Sequence, residues 1–354
     1  MKRFKPRVVA LYGATIFFSA GAFGGRVLAA GTASSITTSP VFTSLVAPPG
    51  KSVSTTMQVE NNGPRPVQLA VQLRTFVAGG TNGQAAIETP SSSDASIGWV
   101  HFSQTSFTAA PGAWTPIVMT INLPKNAALG YYYAVLFKPV TPDASTLQKG
   151  VNIVTGSNVV LVLLNAKSPN EQERLKIDSF HATKSLYEYL PANFDFTVRN
   201  TGNIYFPPHG DIYISRDKNS RGVIDTIPVN TPEGNVLPGS ERTFQANWTD
   251  GFPVFLPKTL AGQPLTDTKN HPLEQLRWDF SNLGKFRFGK YYARLALVYN
   301  NGQRDVLVDQ TIAFWVIPWK LLFVLLLLVL LLLGGVFGFG RFVYRRVHRI
   351  TRRR

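Results

Sequence analysis

Three short stretches of the chain carry residue types that do chemistry elsewhere. "APPGKS" contains Gly50-Lys51-Ser52, the end of a phosphate-cradling loop. Such a loop needs a second glycine five residues earlier, and Leu45 stands there. Pro49-Gly50 therefore reads as a turn ahead of a strand. "DKNSRGVID" places Asp217, Asn219 and Gly222 at the spacing of a calcium loop. Arg221 replaces an oxygen ligand, and Pro228 occupies the place of the bidentate glutamate. A hairpin turn is the expected reading, with a non-standard cation site as the alternative. His209 and Asp211 in "PHGD" would supply two ligands, too few to close a metal site. The remaining histidines (His101, His181, His271 and His348) show no helpful spacing.

Nucleophilic chemistry finds little more. The chain has no cysteine, and no serine lies in a Gly-x-Ser-x-Gly turn. Triads built from distant residues are recognised by geometry, not by sequence. Glu171 and Glu173 fall in a charged linker, where solvated carboxylates are expected. Asn247-Trp248-Thr249 matches a glycosylation sequon and reads as chance in a bacterial setting. The expectation is a protein that is not an enzyme and needs no cofactor and no metal.

The segment that positions everything else is near the end. Leu321 to Gly340 is twenty residues without a charge, and ten of the thirteen in Leu321–Leu333 are leucine. As a helix, twenty residues cover about 30 Å, the hydrocarbon thickness of a bilayer. A soluble helix would keep a polar face. A transmembrane helix is expected over 318–342. Trp315 and Trp319 precede the span, Phe342 and Tyr344 follow it, and such rings favour both headgroup regions. Lys320 can turn its amine back to the interface. Gly334 and Gly338 have the spacing of a helix-pairing motif, but one such match is weak and packing relief in lipid is the expected reading. Arg341, Arg345, Arg346, Arg349, Arg352, Arg353 and Arg354 then form a basic tail over 343–354 and its threshold, which the positive-inside bias assigns to the cytosol.

The net charge of +16 follows the same geography. Met1–Ala29 holds five Lys/Arg and no acid, and the last fourteen residues hold seven arginines. All 20 acids lie between Ala30 and Trp319 with 23 basic residues, so that part is nearly balanced. It has no concentrated basic face, and no nucleic-acid partner is expected. The tail instead suits anionic lipid. "MKRFKPR" followed by an apolar, small-residue stretch and "RVLAAG" reads as a secretory signal over 1–29, cut between Ala29 and Ala30. An uncleaved anchor is the alternative, because the apolar stretch is long and Arg26 is oddly placed. Either way Ala30–Trp319 is expected outside the cytoplasmic membrane. A cysteine-free exterior of this size can build its own cores and fits a bacterial surface.

That exterior alternates with a period of two. Val67, Leu69, Val71 and Leu73 share one face; so do Ile117, Met119, Ile121 and Leu123, then Phe194, Phe196 and Val198, and then Ala293, Leu295, Leu297 and Tyr299. Turn formers such as "APPGK", "ENNGPRP", "RNTGN", "FPPHGD", "LPGS" and "YNNGQ" separate the runs. The pattern predicts an all-β exterior of two β-sandwiches, at 40–165 and 175–317. A polar lead-in (30–39), expected to be flexible, and a charged linker (166–174) flank the first. The loop "GGTNGQAAIETPSSSDAS" is expected to be mobile or functional. An insertion at 251–283 is expected to cap the second sandwich or form a recognition lip.

"VFTSLVAPPGKSVSTTMQVENNGPRPVQLAVQL" and "SFTAAPGAWTPIVMTINLPKNAALGYYYAVLF" resemble the first extracellular domain of bacterial surface proteins of the WxL-interacting type. "VRNTGN", "VLPGSERTF" and "FGKYYARLALVYNNG" resemble bacterial immunoglobulin-like modules. The resemblance implies two tandem immunoglobulin-like β-sandwiches, a signal peptide, one C-terminal transmembrane α-helix and a basic cytosolic tail. It also implies surface-bound WxL proteins and cell-wall polymer as partners. The insertion departs from the simplest form of that pattern.

The expected function is a non-catalytic, membrane-anchored scaffold that presents two sandwiches to a surface protein or cell-wall polysaccharide. Trp99, Trp114, Tyr131, Tyr132, Tyr133, Phe206, Phe252 and Phe255 are its candidate contacts. The alternatives are a membrane-held chaperone that assembles surface fibres by strand addition, and an envelope hydrolase. Protease applied to intact cells is expected to digest the β-domains and spare the arginine tail. A full-length chain recovered from the soluble fraction without detergent would contradict this placement.

Overall fold

The computed structural model describes residues 36–127, 129–140, 158–260, 262–268 and 272–351, with side chains as far as Phe342. The expected signal segment with its cut at Ala29/Ala30 lies outside the described residues. So do Arg352, Arg353 and Arg354, and the side chains of Tyr344, Arg345, Arg346 and Arg349.

The first sandwich opens with β1 (Ile36–Ser39), β2 (Phe42–Ala47), β3 (Ser52–Asn61), β4 (Val67–Ala78) and β5 (Ala85–Glu88). It continues with β6 (Val100–Phe102), β7 (Ser106–Ala109), β8 (Trp114–Asn122), β9 (Leu129–Pro139) and β10 (Val159–Ala166). One sheet runs β1-β3-β8-β6; the other runs β2-β10-β9-β4-β5, with β7 also on β4.

The second sandwich contains β11 (Leu175–Ala182), β12 (Leu186–Tyr187), β13 (Ala192–Asn200), β14 (His209–Ser215), β15 (Val223–Pro228) and β16 (Glu241–Trp248). The insertion follows as β17 (Val254–Pro257), β18 (Thr259–Leu260), β19 (Gln263–Pro264) and β20 (Glu274–Arg277). Then β21 (Gly289–Asn300) and β22 (Asp305–Val316) close the domain. Its sheets run β11-β13-β16 and β12-β22-β21-β14-β15. The two orders correspond strand for strand except that β6 and β7 have no counterpart in the second sandwich. In each domain a short second strand turns to lie parallel to the last one: β2 beside β10, and β12 beside β22. These are two tandem immunoglobulin-like β-sandwiches.

The alternating residues face inward as the pattern predicts. Met57, Val59, Leu69, Ile117, Met119 and Ile121 fill the first core. Phe194, Phe196, Ala293, Leu295 and Leu297 fill the second around Trp248, Tyr291 and Phe314. Trp248 stands edge-on to Tyr291 at 5.1 Å, a favourable arrangement for aromatic rings.

A buried asparagine ends the third strand of each sandwich, β3 and β13. Asn61 Nδ2 donates to the carbonyls of Arg65 (2.7 Å) and Ala109 (3.1 Å). Its Oδ1 accepts from Gly63 N (2.9 Å), and its own carbonyl accepts from Gly112 N (2.8 Å). Asn200 repeats the set: Nδ2 to Ile204 O and Val236 O, both 2.8 Å, Oδ1 from Gly202 N at 2.9 Å, and the carbonyl from Gly239 N at 2.9 Å. Both side chains are buried. Gly112 and Gly239 have φ of +65° and +73°, a region that residues with a Cβ rarely enter. Each follows a proline, so the Pro-Gly turns serve to present an amide to the asparagine.

Two expectations need correction, for the lead-in and the linker, and the polar loop and the insertion take definite form. The lead-in is not flexible throughout: Ile36, the one large apolar residue of "AGTASSITTS", is buried and β1 pairs with β3. The linker is not a string of free charges. Glu171 accepts from Ser168 N (2.8 Å), Glu173 accepts from Asn300 N (3.1 Å), and Thr201 N donates to Arg174 O (2.9 Å). The polar loop after β4 forms a hairpin with β5 and then a 3-10 turn at Ala95–Trp99 capped by Asp94. The insertion is two small hairpins and a 3-10 turn at Phe280–Lys285. It caps the second sandwich with Phe252, which is buried, and with the bond from Phe255 N to Leu190 O (2.7 Å). Burial works to raise the Asp250 carboxyl, but hydrogen bonds from Lys285 and Arg287 outweigh it and hold Asp250 below the usual carboxylate range.

Helix α1 (Trp319–Thr351) is 33 residues long. Its part from Trp319 to Phe342 is long and apolar enough to cross a membrane, and none of it is covered by the sandwiches.

Replacing Asn200 with alanine strands two buried carbonyls and an amide. At ~1–3 kcal/mol for each such group, a loss of at least ~2 kcal/mol is expected. The measurement is chemical denaturation of the two-sandwich fragment, and Asn61→Ala is expected to behave in the same way.

Candidate functional site

The strands β9 and β10 are apolar on both faces, "YYYAVLF" and "VVLVLL". Their inner faces enter the first core. Their outer faces, with Ala134, Leu136 and Leu163, join Phe76 and meet Tyr205 and Leu237 of the second domain. Tyr205 follows directly on Ile204, whose carbonyl Asn200 holds. The Tyr205 hydroxyl shares a 2.5 Å hydrogen bond with Ser44 Oγ on β2, and its ring stands edge-on to Tyr132 at 6.1 Å. Burial pushes both phenols above their ordinary values; for Tyr132 the nearby Tyr205 adds to the effect. A further backbone bond joins Thr243 N on β16 to Thr81 O at the tip of the β4–β5 hairpin (2.7 Å).

Beside this contact is a cleft of about 270 Å³. Phe42, Phe76, Leu161, Leu163 and Leu237 form its apolar wall, and Glu233, Glu241 and Arg242 its charged part. Arg242 donates to Asn235 O (2.8 Å) and lies over the Phe244 ring at 5.3 Å. Burial pulls its guanidinium below its ordinary value.

Phe42 belongs both to the cleft and to β2, the end strand of its sheet. The carbonyls of Val41 and Ala47 face β10, accepting from Leu161 N (3.1 Å) and Lys167 N (3.0 Å). Alternation then turns the backbone groups of Phe42, Ser44 and Val46 away from β10, toward an edge that no described strand occupies. Natural edges are usually blunted by charge, proline or shortness. The strand "FTSLVA" has no charge and no proline, and its six residues make it the longest uncharged edge among the described strands. Val41 is 66% exposed and Val46 58%. In contrast, the longer edges β11 and β16 carry Lys176, Asp178, Glu241 and Arg242.

The aromatic residues expected as contacts do not form one surface. Tyr133 is in the first core, where burial pushes its phenol up to about 12, and Tyr132 is at the domain junction. Trp99 and Tyr131 pack edge-on at 5.0 Å over the first core. Phe206 is in the second core, and Phe252 is buried under Trp278 and Phe280. Phe255 is half-buried against Tyr189. Trp114 alone of the eight is exposed. Of the membrane-flanking residues, Trp315 and Trp319 are exposed, as are Arg341 and Phe342, while Lys320 pairs with Glu188 at 2.7 Å. Sequence reasoning missed Phe42, Val46, Tyr205, Leu237 and Arg242; the two-sided runs of β9 and β10 were the available signal.

The chemistry-bearing stretches have structural roles. Gly50 makes a turn at φ +77° with its N–H on Pro124 O (3.1 Å). Asp217 accepts from Asn219 N (2.8 Å) in the turn between β14 and β15. Asp211 accepts from the Tyr213 hydroxyl at 3.4 Å. Among the described residues no three His, Asp or Glu side chains are grouped to hold a metal.

No protein-family model matches the chain, and no curated protein matches it. Solved structures similar to it include a chain from a chaperone–tip adhesin complex of CFA/I fimbriae biogenesis, with 15% identity, a TM-score of 0.37, and coverage of 78% of this chain and 99% of that one. The class 5 fimbriae chaperone CfaA gives 15%, 0.35, 78% and 98%. The E. coli chaperone DraB gives 9%, 0.32, 78% and 96%. Likeness at these scores carries no argument about this chain, and its fold stands on its own strand pairing.

Tyr205→Ala removes the ring and hydroxyl that join the two sandwiches. It is expected to speed protease cleavage in the 166–174 linker several-fold, while the melting of the first sandwich changes little. Time-resolved proteolysis with mass spectrometry of the fragments checks this.

Proposed function

We propose that the chain is a membrane-anchored, non-catalytic receptor that takes an extended segment of a surface protein as an added strand on β2. The observation that carries this reading is the edge of β2, uncharged and unpaired among the described strands, ending at the apolar cleft. Main-chain hydrogen bonds to Phe42, Ser44 and Val46 would supply affinity, and side-chain pockets would supply selectivity. The cleft wall of Phe76, Leu161 and Leu163 would take an apolar side chain, with Arg242, Glu233 and Glu241 facing its polar neighbours. The core positions of most expected aromatic contacts favour a protein strand over cell-wall polysaccharide. The resemblance to WxL-interacting proteins suggests a surface-bound WxL protein as the first partner to try.

The non-enzymatic reading is supported by how acids are used in the second cleft, beside the insertion. Asp250 is paired with Lys285 and Arg287, and Asp279 accepts from Ser281 and Asn282. The helix after β22 supports attachment to the cytoplasmic membrane with the sandwiches outside. A second reading, a membrane-held chaperone for surface fibres, uses the same open edge. It differs in that the partner must leave with the fibre.

The test is affinity capture from the envelope of the protein's own cell, using the described sandwiches with and without Phe42→Lys plus Val46→Lys. One stoichiometric protein is expected with the native edge and a loss of at least ten-fold with the charged one, at an unchanged melting temperature. Glycan recovered alone, or capture indifferent to the two lysines, would overturn the proposal. Pulse-chase labelling separates receptor from chaperone by whether the partner departs.

A further inference from the structure

The end of the second sandwich nearest α1 presents a group of rings that the core does not use. Phe280 is 71% exposed and Trp278 48%. Leu283, Phe286 and Phe288 are also exposed, as are Trp315 and Trp319. All lie at one end of the domain. Gly289 and Lys290 pair with Val316 and Trp315, the last residues of β22. Phe252 N bonds Lys285 O (3.0 Å) and draws the Phe280–Lys285 turn to the same end. Trp278 packs against Tyr189 at 6.3 Å, next to the Glu188 that pairs with Lys320.

The helix leaves this end without slack. Only Ile317 and Pro318 separate β22 from α1, a reach of at most about 7 Å. Ile317 N is held by Tyr187 O (2.8 Å), Trp319 N bonds Ile317 O (2.8 Å), and the Lys320–Glu188 pair fastens the first helical turn. If α1 crosses a bilayer, this base stands in the headgroup region.

We infer that the end of the insertion and the segment after it, 278–288, form a lipid-docking foot that seats its rings in the bilayer interface beside α1. The inference rests on the membrane-anchored reading above. Exposed aromatic and leucine side chains are unfavourable in water and suited to the headgroup boundary. The acids of the base are already engaged: Glu188 by Lys320, Asp250 by Lys285 and Arg287, and Asp279 by Ser281. Lys290 is the ladder partner of Trp315 across β21 and β22, and its amine lies over the Tyr292 ring at 5.2 Å. The foot would therefore give the ectodomain a second attachment and a fixed tilt.

The chain has no cysteine, so single cysteines can be introduced for spin labels without removing native ones. The full chain, reconstituted in phosphatidylcholine–phosphatidylglycerol vesicles, is labelled separately at Phe280→Cys, Leu283→Cys, Leu327→Cys and Lys125→Cys. Collision with oxygen, which partitions into lipid, is compared with collision with a water-soluble nickel chelate. Labels at 280 and 283 are expected to show an oxygen-to-nickel ratio several-fold above that at 125, approaching the ratio at 327. A lipid-like label at 327 with water-like labels at both 280 and 283 overturns the foot and leaves the span standing. A water-like label at 327 overturns the span, and the foot falls with it. Two positions are used because Phe280 packs on Phe252 and Trp278, whereas Leu283 is an exposed aliphatic side chain.

Discussion

Each sandwich turns on one buried carboxamide. Asn61 and Asn200 satisfy two carbonyls and an amide with the side chain, and a second amide with the main chain, where water has no access. Buried peptide groups left unpaired are costly, so these bonds fix the path of the turn after the strand and of the Pro-Gly turn opposite. The domain junction inherits that fixity. Tyr205 is the residue after the pinned Ile204 carbonyl, and it reaches across to Ser44 and Tyr132. The cleft and the β2 edge are thus built on the same turn that closes the second core.

The repeat also shows how two copies of one fold diverge. The first domain completes its smaller sheet with β6, whereas in the second the corresponding edge, β16, has no such strand and leans on Thr81 instead. The second domain replaces that strand with length elsewhere, in the insertion between β16 and β21. The turn after Asn61 reads "NGPRP", with prolines and an arginine where the second copy has "TGNIYF". Only the second copy has the aromatic residue that reaches the other domain.

Much of the fold was legible because sandwich strands alternate. The faces of Ile117–Leu123, Phe194–Val198 and Ala293–Leu297 follow from period two alone. The same rule carries a second message in β9 and β10, where alternation fails because both faces are covered. It does not say by what: Tyr131, Tyr132 and Tyr133 are consecutive and look alike, yet they meet Trp99, Tyr205 and the first core in turn. Their destinations depend on residues as far away as Tyr205, which no local pattern encodes. The candidate site was less legible than the fold for the same reason. An open edge is a property of sheet order, and Phe42 and Val46 become unusual only once β2 is known to be the last strand. Ile36 was overlooked because one apolar residue in a polar stretch gives no period.

Ser44 has a double position. Its backbone belongs to the free margin of the first sandwich, while its hydroxyl grips the tyrosine that joins the two modules. Anything that displaces or straightens that margin also tugs on the joint. Occupancy at that margin would thus be felt at the joint, where the serine–tyrosine clasp acts beside the Thr243–Thr81 bond and the apolar contact.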